Sequence, residues 1–144
     1  MTEPQQTVGK MLLEAHTDLR EDLAKLAETL RPQCATTVAQ LSARLQETQD
    51  HILEHFRLEE EGGYLQEIRE AEPRLNREID HLYEEHAVLA KVLQGLIDDL
   101  QAETTIDDTV RKKVQSWIKH VRKHESCENL LVEDVFVLDI GDKD

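Results

Sequence analysis

Apolar residues recur at steps of three and four positions through four stretches of the chain. That spacing is typical of helices that bury one stripe of side chains against their neighbours. It predicts helices over about residues 8–30, 34–71, 74–101 and 107–138. Apolar and polar residues do not alternate over a useful length, so no β-strand is expected. The pattern therefore predicts an all-α fold.

Short breaks separate the four predicted helices. Arg31-Pro32 and Glu72-Pro73 mark two of them, because proline disfavours helix in the residue before it while being accepted in a following first turn. The third break, over residues 104–108, is rich in Thr and Asp, which are favoured at helix N-termini. Four amphipathic helices with short connections predict an up-down-up-down antiparallel four-helix bundle, formed as a single domain by residues 1–144.

Six polar residues occupy positions within the apolar stripes. They are His16, His55, Glu59, His86, His124 and Glu128. Because the rhythm of three and four passes through these positions, their side chains are expected to point into the bundle axis, with one histidine from each helix. An unpaired carboxylate in such a place would cost several kcal/mol, so each one must be protonated, paired or bound to a cation.

The inward histidines are also expected at one depth in the bundle. Residues of antiparallel neighbours lie level when they are equally far from the connecting loop, and the midpoints of 16 and 55, of 55 and 86, and of 86 and 124 fall at or beside the predicted breaks. Glu59 and Glu128 each follow a histidine by four residues, or about 6 Å along the helix axis. Four imidazoles and two carboxylates at one level predict a metal site. This mixed donor set suits a pair of iron or manganese ions better than one tetrahedral zinc.

The remaining histidines, His51, His81 and His120, each precede a stripe residue and are expected on helix flanks, at the surface or as outer contacts of the site. Ferritin-like centres use the order ExxH on two helices. Here the order is HxxxE, and the one ExxH found, Glu78 with His81, has its histidine off the stripe. The spacing therefore argues against ferritin-like chemistry.

The composition agrees with a helical protein and makes two classes of partner, nucleic acids and membranes, unexpected. Residues of high helix propensity dominate, and aromatic residues make up only 3%. The formal net charge of −14 repels phosphate backbones and anionic lipid, so neither a nucleic acid nor a membrane is expected as a partner. The two cysteines lack CxxC spacing, and the N-terminus has no basic region followed by an apolar segment. A cytoplasmic location is therefore expected.

Four segments of the chain resemble the helices of hemerythrin-like (HHE) domains. They read LLEAHTDLREDL, HFRLEEEGGYL, EEHAVL and HESCENLL, and the resemblance covers nearly the whole chain in the order His…HxxxE…His…HxxxE. It implies a non-heme di-iron centre, two iron ions with an oxo or hydroxo bridge, in which Glu59 and Glu128 also bridge the irons. It further implies that His16 and His55 serve one iron, and that His86 and His124 serve the other.

One departure from the family pattern bears on function. Hemerythrins proper carry a fifth histidine one turn away on the third helix, where this chain has Leu82 and Ala90. One iron is then short of a protein ligand, and the resemblance leaves Glu85, His120, His81, a neighbouring carboxylate or water to fill the place. Family members with such a reduced set act as oxygen, iron or redox sensors, or show weak peroxidase or nitric-oxide chemistry.

Three functions follow as hypotheses. The first is a di-iron protein that binds or senses dioxygen or a related diatomic or peroxide ligand, and this binding role is favoured over catalysis. The second is a di-iron enzyme with peroxidase or nitric-oxide-reducing activity. The third is a structural or interaction bundle whose polar core holds no metal. A redox or signalling role would need a separate partner protein.

Overall fold

In the computed structural model, residues 3–31, 35–61 and 64–133 are described. The elements in chain order are α1 (Glu3–Thr29), α2 (Val38–Glu61), α3 (Tyr64–Ala71), a 3-10 helix (Pro73–Leu75), α4 (Asn76–Leu100) and α5 (Asp108–Val132). Across these described ranges the chain has helices and no strand, which confirms the all-α prediction. None of the helices there combines the length and the apolar character needed to cross a membrane.

The four long helices form the predicted bundle. α1 packs against α2, α2 against α4, α4 against α5, and α5 returns to α1. The short connections make consecutive long helices antiparallel, as in an up-down-up-down bundle. The short α3 and the 3-10 helix join α2 to α4 and contact the N-terminal end of α4, so they cover one end of the bundle.

Two helix starts are set by side-chain caps. Thr37 accepts a hydrogen bond from the Gln40 backbone N–H through Oγ1 at 3.1 Å, and Gln40 Oε1 accepts one from the Thr37 N–H at 2.9 Å. This reciprocal capping box places the start of α2 at Val38 rather than near residue 34. Asp107 caps α5 in a similar way, because its Oδ1 accepts a hydrogen bond from the Val110 N–H at 2.9 Å.

Other bounds also differ from the sequence prediction. α1 begins at Glu3, earlier than residue 8, because Pro4 is tolerated in a first turn and the residues after it favour helix. The segment predicted as one helix to residue 71 is described as α2 and α3, and residues 62–63 between them lie outside the described residues. The predicted last turns of the fourth helix, over residues 134–138, also lie outside them.

The core consists of two apolar clusters at different levels. The larger one joins the four long helices and contains Trp117, whose indole N–H donates a buried hydrogen bond of 2.9 Å to the Leu89 carbonyl. The smaller one joins α3, the 3-10 helix, the start of α4 and the end of α5 around Ile68 and Ile79. The six polar stripe residues lie between the two clusters along the helices. Apolar side chains therefore exclude water from both ends of this polar layer.

Candidate metal centre

The six polar stripe residues lie together in the middle of the bundle and are all buried. The histidines expose 0–7% of their surface and the two glutamates none. Their donor atoms form two groups in which all atoms lie within 4.8 Å of one another. The first group is His16, His55, Glu59 and Glu128, and the second is His86, His124 and the same two glutamates. The histidines thus divide into the pairs that the family resemblance implies, with both carboxylates shared.

Each shared carboxylate faces three imidazoles. The Glu59 oxygens lie 2.5 Å from His55 Nε2, 3.3 Å from His86 Nε2 and 3.9 Å from His16 Nε2. The carboxylates therefore connect the two histidine pairs.

Glu128 makes the equivalent contacts from α5. Its oxygens lie 2.9 Å from His124 Nε2, 3.4 Å from His16 Nε2 and 3.9 Å from His86 Nε2. Because the HxxxE spacing puts His and Glu on one face of a helix, α2 and α5 each present such a pair to the bundle axis.

The outer nitrogens of two histidines are held by oxygens on a neighbouring helix. His16 Nδ1 lies 2.5 Å from Asn129 Oδ1, and His86 Nδ1 lies 3.0 Å from Glu60 Oε2. Both oxygens are acceptors, so Nδ1–H donates in each case. The Nε2 atoms then face the carboxylates, which is the arrangement by which proteins orient histidine ligands toward a metal.

His124 is held in the same way by a residue that the sequence left as a candidate ligand. Its Nδ1–H donates to Glu85 Oε1 at 3.0 Å, so Glu85 is an outer contact of the cluster and not a member of either donor group. His81 and His120, the other candidates for an extra ligand, are exposed at the surface. His51 is also exposed, and its Nδ1 lies 3.3 Å from Asp22 Oδ1.

The inner atoms of the six residues fit a bound cation. The Nε2 atoms of all four histidines and all four oxygens of Glu59 and Glu128 are buried, and they face one another at 2.5–3.9 Å without a well-formed hydrogen bond. Buried polar atoms are normally paired, because leaving one unpaired costs about 1–3 kcal/mol, and more for a charged group. Eight such atoms converging at one place are what one or two metal ions would satisfy. The residues therefore form a candidate metal-binding site.

The charges of the cluster are strongly coupled. Burial would raise the pKa of Glu59, but the contacts with His16, His55 and His86 outweigh it and hold that pKa well below its ordinary value. Burial likewise opposes the charge on His16, yet Glu59 and Asn129 raise its pKa. Both shifts favour a charged His16 and a charged Glu59 in the metal-free cluster, so a metal ion has to compete with the proton on His16.

The pKa of His124 is shifted the other way. Burial and the neighbouring His86 lower it and outweigh the raising effect of Glu85. The neutral imidazole, which is the form that binds a metal, is therefore favoured at His124.

Glu125 is a buried acidic residue that the stripe analysis missed. It exposes 2% of its surface, and neither carboxylate oxygen has a hydrogen-bond partner. Burial raises its pKa against the opposing effect of His16 and His55. The signal was present in the sequence, because Glu125 lies seven residues after Ile118 and seven before Val132, which are both buried.

Two surface clefts, one on each side of α2, reach the cluster. The cleft between α1 and α2 has a volume of about 370 Å³ and reaches His55. The cleft between α2 and α4 has a volume of about 520 Å³ and reaches His86. Phe56 also lines the second cleft and stacks on the His86 ring, with centroids 4.0 Å apart and planes inclined by 13°. The candidate site is thus buried but close to solvent on two sides.

The chain matches the family model described as the hemerythrin HHE cation-binding domain over residues 7–134. This range includes all six residues of the cluster and nearly all of the helical bundle. Comparison with curated proteins and with solved structures gives no match.

Proposed function

The chain belongs to the hemerythrin family of HHE cation-binding domains, and we propose that it is a non-heme di-iron protein that binds or senses dioxygen or a related small ligand. The observation that carries the proposal is the convergence of eight buried, unpartnered nitrogen and oxygen atoms from six residues. Neutralising so many converging acceptors requires positive charge, and metal ions supply it without new side chains.

Two overlapping donor groups support two ions rather than one. Each group offers two imidazoles and the same two carboxylates, so each of two ions would be held by four residues, with Glu59 and Glu128 contributing to both. A single tetrahedral zinc would leave two histidines unused. Mixed imidazole and carboxylate donors with a shared carboxylate suit redox-active first-row ions, and iron is the ion we propose.

The burial of the site favours a small ligand over a bulky organic substrate. Its histidines expose at most 7% of their surface, so a bulky organic substrate has no access to the inner nitrogens. Four protein residues would hold each ion, which would leave room in its coordination shell for a small molecule. The chain also lacks the fifth histidine of hemerythrins proper and has Leu82 and Ala90 at the corresponding places, so one further ligand would be absent.

The residues around the cluster have distinct roles in this proposal. Bound iron would supply reversible electron transfer to a small ligand. Asn129, Glu60 and Glu85 would hold the imidazoles with Nε2 inward, and the apolar clusters would exclude water. We further propose a cytoplasmic location, with a separate partner protein receiving any redox or signalling output.

The proposal is tested by metal analysis combined with absorption spectroscopy. Metal-free protein is reconstituted anaerobically with ferrous ion and then exposed to air. About two irons per chain, with new near-ultraviolet charge-transfer absorption after oxidation, would support the proposal. Glu59→Ala should lose both features because Glu59 belongs to both donor groups. Glu61→Ala is a matched control, since Glu61 is exposed two residues away and pairs with Arg57.

Three results would contradict the proposal. No iron uptake, together with unchanged thermal stability after chelation and in His86→Leu, would indicate a metal-free polar network. One tightly bound zinc per chain in preference to iron would contradict the di-iron assignment. Sustained peroxide or nitric-oxide turnover, lost in Glu59→Ala, would identify an enzyme instead of a binding or sensing protein.

A further inference from the structure

The cleft between α1 and α2 is strongly acidic and is not part of the six-residue cluster. Four carboxylates line it, from Asp18, Glu21, Asp22 and Glu54, together with a single lysine. Its volume of about 370 Å³ is large enough for a hydrated cation. A concave surface with an excess of one charge sign concentrates ions of the opposite sign.

Asp22, which lines this cleft, has a buried carboxylate oxygen without a hydrogen bond. The residue exposes only 7% of its surface, its Oδ1 lies 3.3 Å from His51 Nδ1, and its Oδ2 is buried without a hydrogen-bond partner. A buried carboxylate oxygen in that state is costly unless a cation or a hydrogen bond satisfies it. His51 is more than half exposed, so a cation bound to its imidazole would remain in contact with solvent water.

The same cleft leads to the metal cluster. His55 lines it, and His55 belongs to the first donor group, with His16 and the two shared glutamates. His51 lies one helical turn before His55 on α2, or about 6 Å along the axis. A cation held between Asp22 and His51 would therefore be one short step from the first ion position.

The cleft on the other side of α2 lacks such an unsatisfied oxygen among its described carboxylates. There Glu60 accepts the hydrogen bond of His86 Nδ1, and Glu61 pairs with Arg57. In the cleft between α1 and α2, both oxygens of Glu54 accept hydrogen bonds from Arg57. Among the carboxylates that line these two clefts, Asp22 is the buried one with an oxygen that lacks a hydrogen bond.

We propose that Asp22 and His51 form an uptake site for a divalent cation, ferrous iron in this protein, which holds the ion at the cleft before it passes His55 into the cluster. This inference rests on the proposed di-iron function. One carboxylate and one imidazole, with water completing the shell, bind a first-row divalent ion weakly enough to release it.

The test measures the rate of iron uptake separately from its extent. Metal-free protein is mixed anaerobically with ferrous ion, and the iron protected from a fast chelator is followed with time and at the end point. Asp22→Asn should slow uptake by about tenfold and leave the final number of irons unchanged. Asp50→Asn is the matched control because Asp50 is exposed beside His51, outside the cleft, and its loss changes the net charge equally.

His51→Gln provides a second variant in case Asp22→Asn disturbs folding, and it should also slow uptake relative to the control. Uptake by both variants at the Asp50→Asn rate would overturn the inference and leave Asp22 with only a structural contact to His51. Reduced final iron at an unchanged rate would overturn it as well. Failure of the unsubstituted protein to take up iron would overturn the di-iron proposal itself, and the uptake site with it.

Discussion

Glu60→Ala should weaken the second metal position without altering the six cluster residues. Glu60 Oε2 accepts the hydrogen bond of His86 Nδ1 at 3.0 Å, and this contact orients the His86 ring so that Nε2 faces Glu59 and Glu128. Removing the carboxylate removes a contact that fixes the rotation of the ring and lowers the basicity of Nε2. The variant thus tests whether the outer oxygens serve the metal site.

The expected loss of metal affinity depends on how exposed the Glu60 side chain is. Loss of an outer hydrogen bond to a histidine ligand lowers metal affinity by about 10- to 100-fold. His86 exposes only 3% of its side chain, but Glu60 exposes 43%, so water can replace the lost acceptor. We therefore expect the low end of that range, about a tenfold loss or roughly 1.4 kcal/mol. The metal affinity of Glu60→Gln should lie between those of Glu60→Ala and the unsubstituted protein, since the Gln amide oxygen still accepts a hydrogen bond but carries no charge.

Affinity is measured by anaerobic titration of metal-free protein with ferrous ion in competition with a colorimetric chelator. Glu61→Ala is the control, because it removes the same charge from the same cleft but touches no cluster histidine. The unfolding free energies of the two metal-free variants should agree within about 0.5 kcal/mol. Equal iron affinities in Glu60→Ala and Glu61→Ala would refute the assignment of Glu60 as a positioning residue.

Two further predictions concern the metal-free fold. Because burial raises the pKa of Glu125 above its ordinary 4.5, the native state loses stability as pH rises through the raised value. Glu125→Gln stays neutral, so its stability relative to the unsubstituted protein should be higher at pH 7.5 than at pH 4.5; urea unfolding that shows the same difference at both pH values would contradict this. Trp117→Phe removes the buried hydrogen bond to Leu89 and leaves a void, which should lower the unfolding free energy by about 1–3 kcal/mol. Iron affinity should not change. A large loss of affinity would mean that packing in the larger apolar cluster affects the six-residue cluster.

Much of the fold was predictable because its causes are local. A repeat of three and four positions identifies a helix wherever it occurs, and Pro32 and Pro73 disfavour helix in the residues just before them. Errors in the bounds have local causes too, since the Thr37–Gln40 capping box that places the start of α2 is a short motif. The six residues of the cluster were predictable for the same reason as the core, because they occupy positions that the repeat turns inward.

The outer contacts of the cluster could not be predicted in this way. Glu60 and Glu85 stand at partly exposed positions of helices rich in glutamate, and nothing in the spacing distinguishes them from other solvated carboxylates. Their contacts depend on how closely α2 packs on α4 and α4 on α5. Asn129 likewise meets His16 only because α5 returns to lie against α1.

The sequence by itself thus determined the helices and the inward set of four histidines and two glutamates, since helical periodicity is a property of each segment alone. Tertiary structure decided which oxygens hold the imidazoles of His16, His86 and His124, and that Asp22 meets His51 in an acidic cleft. These features join residues of different helices. Their burial and distances arise only when the helices pack, because the rotation and depth of one helix against another are set by the whole core.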